Sequence, residues 1–243
     1  SGTVSAVDAD AVADATSGVV TATIAAETAT ALNTALVTNG DTTLNAYKLT
    51  VTGDDAAAAH LVALDGKTSV TVNAAAIKNI EGTATAVKAA YDANANKTIS
   101  GLGNETVDLS TALDANVNLV KAINDFTTGV ITLGTVNVSA GNFSLSQLGD
   151  LKGITGLNTL DVSAGNTNIT LSLKDLLASN DDTNSFAFKI DNGAGAVGDT
   201  VKFADTIGWT ADTTSSATGV TLYTNDVTSQ VITINHTNVV VVA

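Results

Sequence analysis

The chain has 243 residues, of which 44% are apolar and only 4% aromatic, and its net charge is −14. All ten basic residues are Lys, so the clustered Lys and Arg needed to neutralise phosphates are missing, which excludes nucleic acid and anionic membrane surfaces as partners. No Cys is present, which excludes disulfides and thiolate chemistry. No apolar run approaches the roughly 18 residues of a membrane span.

Short segments in which apolar and polar residues alternate recur along the first three quarters of the chain. This period of two is typical of half-buried strands. The segments are residues 19–24, 48–52, 69–74, 106–110, 135–140, 159–164 and 168–173. The motif SAGN occurs at 139–142 and again at 163–166, a self-similarity that indicates a repeat architecture.

Helical patterns lie between these strands. Asp54 and Asp55 precede an Ala-rich run, and Ser172 with Asp175 has the spacing of a capping box. Two apolar stripes at helical spacing are Ile80, Ala84, Val87 and Tyr91, then Leu113, Val117, Val120 and Ile123. Because a parallel return needs a crossover of about a dozen residues, which these helices supply, we predict a mainly β fold with short helices over residues 1–179. The predicted architecture is a parallel strand-helix solenoid, β-helix-like in character.

The pattern changes after the polar stretch SNDDTN at 179–184. Strand-like segments then follow one another without helical spacers, and Phe186, Phe188, Phe203 and Trp209 gather among them. We predict that residues 180–243 form a strand meander or a small β-sandwich that caps the stack. The apolar run at 239–242 is expected either to pair internally or to be donated to a neighbouring subunit.

Several segments resemble known families of surface proteins. Residues 158–203, 208–214 (GWTADTT) and 219–226 (GVTLYTND) resemble the carboxy-terminal modules of large secreted adhesins of the repeats-in-toxin class. Residues 64–91 resemble repeats of bacterial surface-layer-like proteins. The resemblance implies an extracellular location, calcium in some loops, and a structural or adhesive role. The glycine-and-aspartate nonapeptide of the toxin repeats is absent, and the nearest string, GAVGDTV at 195–201, occurs once.

Catalytic motifs are absent from the surroundings of both histidines. Neither His60 nor His236 lies in an HExxH or serine-elbow pattern, so both are interpreted as structural or surface residues. Gly66, Lys67 and Thr68 match the end of a phosphate loop, but Leu61 stands where such a loop requires Gly. We predict that the protein is not an enzyme.

Two loops have the composition of cation sites. Asp92, Asn94 and Asn96 have the spacing of the first EF-hand ligands, but Lys97 and Gly103 replace the required Gly and Glu, which favours a polar turn. The loop after residue 179 is the better candidate, with a solvated loop as the alternative. The predicted calcium ligands are Asn180, Asp181, Asp182, Asn184, Asp191 and Asp199.

Two functions remain open. The first is an extracellular structural protein, a surface-layer, fibre or filament subunit whose copies join through strand edges and solenoid ends. The second is a calcium-dependent adhesin or carbohydrate-binding module that contacts cell-surface glycans through Trp209 or Tyr223. A polysaccharide lyase or hydrolase is disfavoured because the chain contains no Arg.

Overall fold

The protein is a mixed α/β fold with 35% strand and 28% helix, and the sequence prediction of a mainly β chain underestimated the helices. The computed structural model describes residues 2–180, 186–192, 199–212, 219–237 and 240–242. Helices lie between many of the strands, as the helical patterns in the sequence predicted. These are α1 Ala6–Asp14, α2 Ala29–Asn33, α3 Ala58–Asp65, α4 Ala84–Ala95, α5 Val117–Asn124 and α6 Leu173–Ala178. A π-helical turn covers Thr34–Thr38, and 3-10 turns cover Leu145–Leu148 and Leu151–Gly153.

The chain divides into two units, of which unit 1 comprises Ser1–Asp108 and Phe126–Gly129. Its strands are β1 Thr3–Val4, β2 Thr21–Ile24, β3 Glu27–Thr28, β4 Ala46–Lys48, β5 Val51–Thr52, β6 Asp55–Ala57, β7 Val72–Asn73, β8 Asn79–Glu81, β9 Ile99–Ser100 and β10 Thr106–Leu109. The pairings among them are parallel, in the orders β1-β2-β4, β6-β8-β10, β3-β5 and β7-β9.

Unit 2 comprises Leu109–Asp125 and Val130–Ala243. Its strands are β11 Ile131–Leu133, β12 Thr135–Asn137, β13 Gly141–Ser144, β14 Ile154–Thr155, β15 Thr159–Asp161, β16 Thr167–Leu171, β17 Phe186–Asp191, β18 Thr200–Phe203, β19 Trp209–Asp212, β20 Val220–Asn225, β21 Val231–Thr237 and β22 Val240–Val242. Strands β12-β15-β17-β21 and β13-β16-β18-β22 form two parallel series, and β11 pairs with β14. Strands β20 and β19 extend the first series in antiparallel fashion.

The core of unit 2 is built from aligned apolar side chains on successive strands. In each parallel series the apolar residues fall at matching register positions, because a shift by one residue would turn them to solvent. The buried residues aligned in this way are Val136, Leu160 and Ile190 in one series, and Phe143, Ile169 and Val201 in the other. The interior of unit 2 is therefore mainly aliphatic.

The strands predicted after residue 180 are confirmed, but most of their pairing differs from the predicted meander. β17, β18, β21 and β22 continue the parallel series of the preceding strands, and the antiparallel meander is limited to β19-β20-β21. Parallel pairing prevails here because the inward-facing residues keep the register of the earlier strands. β22 pairs with β18, so residues 240–242 of the terminal apolar run are paired internally. The predicted domain boundary at 179/180 remains a prediction, and β17 beyond it pairs with β15 before it.

The predicted helix starts had mixed outcomes. Ser172 caps α6 by accepting a hydrogen bond from the Asp175 amide at 3.0 Å, as predicted. Ile80, predicted to lie in a helix, belongs to strand β8, and α4 begins at Ala84 behind its Thr83 cap. Leu113, placed by its spacing on an apolar helix face, lies outside α5 and is exposed. A single apolar residue fits both periods, so its spacing did not distinguish strand from helix.

Candidate functional site

The predicted calcium ligands have different surroundings in the structure. Asp181, Asp182 and Asn184 lie outside the described residues. Asn180 donates its side-chain amide to the carbonyl oxygens of Leu157 at 2.9 Å and Leu176 at 3.2 Å, which anchors the end of α6. The Asp191 carboxylate forms an ion pair with Lys189 at 2.5 Å. These contacts of Asn180 and Asp191 do not require a metal ion.

Asp199 differs from the other predicted ligands because its carboxylate is buried, with 1% of the residue exposed. Its Oδ1 accepts a hydrogen bond from the Thr167 amide at 2.6 Å. Its Oδ2 is buried without a hydrogen-bond partner among the described residues, and so is the Oγ1 of Thr167. The sequence analysis missed Thr167. The one feature of Thr167 that could have indicated a role is a hydroxyl group at an inward-facing position of a strand.

The other sequence candidates make structural contacts. The Lys67 ammonium of the phosphate-loop-like string is buried against the Asp41 carboxylate at 2.9 Å and also donates to the Asp41 carbonyl. Asp92 of the EF-hand-like string pairs with Lys88, and Asn94 exchanges hydrogen bonds with the backbone of Leu102. Lys67, just after α3, and Asn94, near the end of α4, connect these helix ends to neighbouring turns, whereas the Asp92–Lys88 pair lies within α4.

The two histidines are far apart in sequence and have separate environments. His60 places its Nδ1 3.3 Å from the Thr30 hydroxyl. His236 lies on β21, where burial lowers the pKa of its imidazole. Across the part of the chain that the structure describes, no group of three or more His, Cys, Asp or Glu side chains is arranged to hold a metal.

A polar cleft of about 420 Å³ opens in unit 2 beside the start of α5. A second cleft of about 370 Å³ adjoins it and shares Asn118, Val138 and Ser139 with it. The first cleft is lined by Asn116, Asn118, Asn137, Val138, Ser139, Asp161, Ser163 and Ala164. Amides, hydroxyls and a carboxylate can hydrogen-bond the hydroxyl groups of a polar ligand such as a sugar.

The antiparallel part of unit 2 carries exposed apolar residues at one end. β19 ends the strand order of its sheet, so its outer edge pairs with no described strand. The Asp226 amide bonds to the Gly208 carbonyl at 2.9 Å, which brings the flanking residues Ile207 and Val227 to the same end of this hairpin. Ile207 is 98% exposed and Val227 is 89% exposed. We call β19 with these two residues the apolar edge.

The two aromatic residues proposed for ligand contact differ in exposure. Tyr223 is buried, and its ring lies against Phe203 with centroids 4.7 Å apart, so it belongs to the core. Trp209 is half-buried and is the first residue of β19, within the apolar edge. Trp209 is therefore the only one of the two that can contact a partner.

Comparison with known proteins gives no relative. The chain matches no protein-family model, and no similar chain was found among curated proteins or solved structures. Within the described ranges no helix has the length and apolarity needed to cross a bilayer.

Proposed function

We propose that the protein is a structural subunit of an extracellular surface layer, fibre or filament, and that its copies associate through sheet edges. The observation that carries the proposal is the succession of short parallel strands with aligned aliphatic cores. Regular stacking of this kind builds an extended scaffold, and each end of a stack offers unpaired backbone to another copy. The family resemblance of the sequence supports the extracellular location.

We further infer that the successive strands are turns of a β-helix-like solenoid. Two hydrogen-bonded side-chain ladders with the same chemistry support this interpretation. In one, Asn79 donates to Asp55 at 3.2 Å and accepts from Thr106 at 2.9 Å. In the other, Asn168 donates to Asn142 at 3.2 Å and accepts from Thr200 at 2.9 Å. Equivalent ladders in both units are expected when one repeating turn is used throughout the chain.

The apolar edge is the best candidate for an association surface. An unpaired strand edge with exposed apolar side chains is a template for pairing with another chain unless it is protected by charge. Residues 203–243 contain no Lys, so the lysine protection that many edge strands carry is missing here. Pairing through β19 would bury Ile207 and Val227 together with backbone hydrogen-bonding groups.

Sedimentation velocity over a range of concentrations, with negative-stain microscopy, tests the proposal. We expect the wild-type chain to form dimers and larger species, and the double substitution of Ile207→Asp with Val227→Asp to reduce them. Leu113→Asp with Val130→Asp is the matched control, because it adds the same charge at two exposed apolar residues elsewhere in unit 2. A wild-type chain that stays monomeric at every concentration would contradict the proposal.

A second candidate function is glycan binding, favoured by the polar clefts of unit 2. Asn118 lines both clefts, so Asn118→Ala is expected to weaken the binding of an oligosaccharide. Asn104→Ala, at an exposed residue of the other unit, is the control. A glycan array run with calcium and with a chelator measures both binding and its calcium dependence. An array without signal in either condition removes this candidate.

A further inference from the structure

A buried polar pair lies where two neighbouring strands of unit 2 begin. Thr167 is the first residue of β16, and Asp199 immediately precedes β18. They stand one position before Asn168 and Thr200, which are register partners. The 2.6 Å hydrogen bond from the Thr167 amide to Asp199 Oδ1 holds the two residues together.

The pair leaves two oxygen atoms without hydrogen bonds. Asp199 Oδ2 and Thr167 Oγ1 are both buried and both lack a partner among the described residues. Among the ion pairs of the described residues, none involves Asp199. Leaving a buried carboxylate oxygen and a buried hydroxyl unsatisfied is costly, so buried polar groups generally bind another group, water or an ion.

We propose that Asp199 and Thr167 bind a hard cation through Asp199 Oδ2 and Thr167 Oγ1. Carboxylate and hydroxyl oxygens are ligands that such ions prefer, and a buried water or backbone carbonyl can complete the coordination. A bound cation would neutralise the buried charge and satisfy both oxygens at once. The site joins β16 to β18, so the ion would stabilise the parallel pairing of unit 2.

The proposed site differs from the one predicted from the sequence. The sequence analysis placed calcium in the acidic loop at 180–184 with Asp191 and Asp199, whereas the proposed site consists of Asp199 with Thr167. The proposal is independent of self-association, because it concerns the stability of a single chain. Its test therefore uses dilute protein and does not depend on assembly.

The test is thermal unfolding of the full chain after treatment with a chelator, with and without added CaCl2, together with equilibrium dialysis to count bound calcium. MgCl2, NaCl and KCl at matched ionic strength identify the preferred ion. We expect one ion per chain, and an unfolding midpoint that rises with the logarithm of ion concentration above Kd. Asp199→Asn and Thr167→Val should each abolish or strongly reduce this rise. Asp191→Asn, which removes the carboxylate paired with Lys189, should retain it.

Two results would overturn the proposal. In the first, Asp181→Asn with Asp182→Asn removes calcium binding while Asp199→Asn retains it, which assigns the ion to the acidic loop. In the second, no cation changes the wild-type midpoint and dialysis finds no bound ion, which leaves a trapped water as the partner of Asp199. Should Asp199→Asn fail to fold, Thr167→Val and the dialysis stoichiometry still decide between these outcomes.

Discussion

Glu105 is one of three glutamates in the chain and is completely buried. Its carboxylate accepts hydrogen bonds from the Gly103 amide at 2.8 and 3.0 Å and from the Tyr91 hydroxyl at 3.2 Å. The Tyr91 ring stacks on Phe126 at a centroid distance of 5.5 Å. A single acidic side chain thus fixes a turn and an aromatic pair inside a mainly aliphatic core.

Replacing Glu105 is expected to destabilise the protein. Glu105→Ala removes the buried acceptor of the Gly103 amide and of the Tyr91 hydroxyl, which should lower the free energy of unfolding by about 1–3 kcal/mol. Urea denaturation followed by circular dichroism measures this change. Glu81→Ala, at an exposed glutamate, is the control and should change stability by less than about 0.5 kcal/mol. Equal effects of the two substitutions would contradict the role of the network.

The Asp41–Lys67 ion pair is the buried counterpart of the exposed pair Asp54–Lys78. The side chains of Asp41 and Lys67 are 8% and 9% exposed, whereas those of Asp54 and Lys78 are 66% and 73% exposed. Burial raises the pKa of Asp41, but hydrogen bonds from Lys67 and Thr43 and the charge of Lys67 outweigh it. The net result is a pKa below the ordinary value of 3.8.

This lowered pKa predicts a pH dependence of stability. Because Asp41 binds its proton less readily in the folded chain, its contribution is present above the unfolded pKa and is lost as pH falls through the folded value. Asp41→Asn should therefore flatten the acid side of the stability curve below about pH 5. Urea midpoints measured from pH 7 to pH 2 test this. An equal flattening by Asp54→Asn, the exposed control, would show that the buried pair is not the cause.

At the scale of the element, strand β16 shows how alternation specifies the sheet. Its residues are alternately buried and exposed, and Ile169 lies between Phe143 and Val201 of the neighbouring strands. The polar residues on its other face, Asn168 and Thr170, pair with polar residues of those strands. The register is therefore specified by both faces of the strand.

The two faces of β16 should respond differently to truncation. Ile169→Ala removes buried methyl groups and leaves a cavity between adjacent strands, which should cost about 2–5 kcal/mol of unfolding free energy. Thr170→Ala, on the exposed face of the same strand, should cost less than about 1 kcal/mol. Chemical denaturation of the two variants gives the comparison. A similar cost at both positions would mean that the register assigned to β16 is wrong.

At the scale of the whole molecule, the net charge of −14 opposes association of copies. Like-charged chains repel each other over about a Debye length, which is roughly 10 Å at 0.1 M salt. In the proposed assembly, the apolar edge would supply an attraction that salt does not screen. The balance between these two effects should determine when copies associate.

Salt is therefore expected to promote self-association. Raising NaCl from about 10 mM to about 150 mM shortens the range of repulsion several-fold and leaves the apolar contact intact. Sedimentation velocity at fixed protein concentration should show a shift toward larger species. KCl serves as a control for ion identity. Dissociation on adding salt would mean that ion pairs, instead of apolar contacts, hold the copies together.

Local pattern was enough to predict much of the secondary structure. The alternation in residues 168–173 predicted β16, and the spacing of Ser172 and Asp175 predicted the start of α6. Both signals act between residues close in the chain, so they can be read from a short window. Ile80 was misassigned because its apolar neighbours fit the helical period, while its actual strand is set by pairing with β6 and β10. Thr167 was missed for a similar reason, since its importance depends on Asp199, 32 residues away.

The composition and the alternating pattern suffice to predict an acidic chain with an aliphatic interior and short strands. They do so because inward and outward positions of a strand differ in polarity wherever the strand pairs. Which strands pair, and which polar atoms become buried, can be seen only in the folded structure. Val136 pairs with Leu160 and Ile190 with His236, which are 24 and 46 positions apart. Contacts over such separations depend on how every intervening turn packs, and no local pattern specifies them.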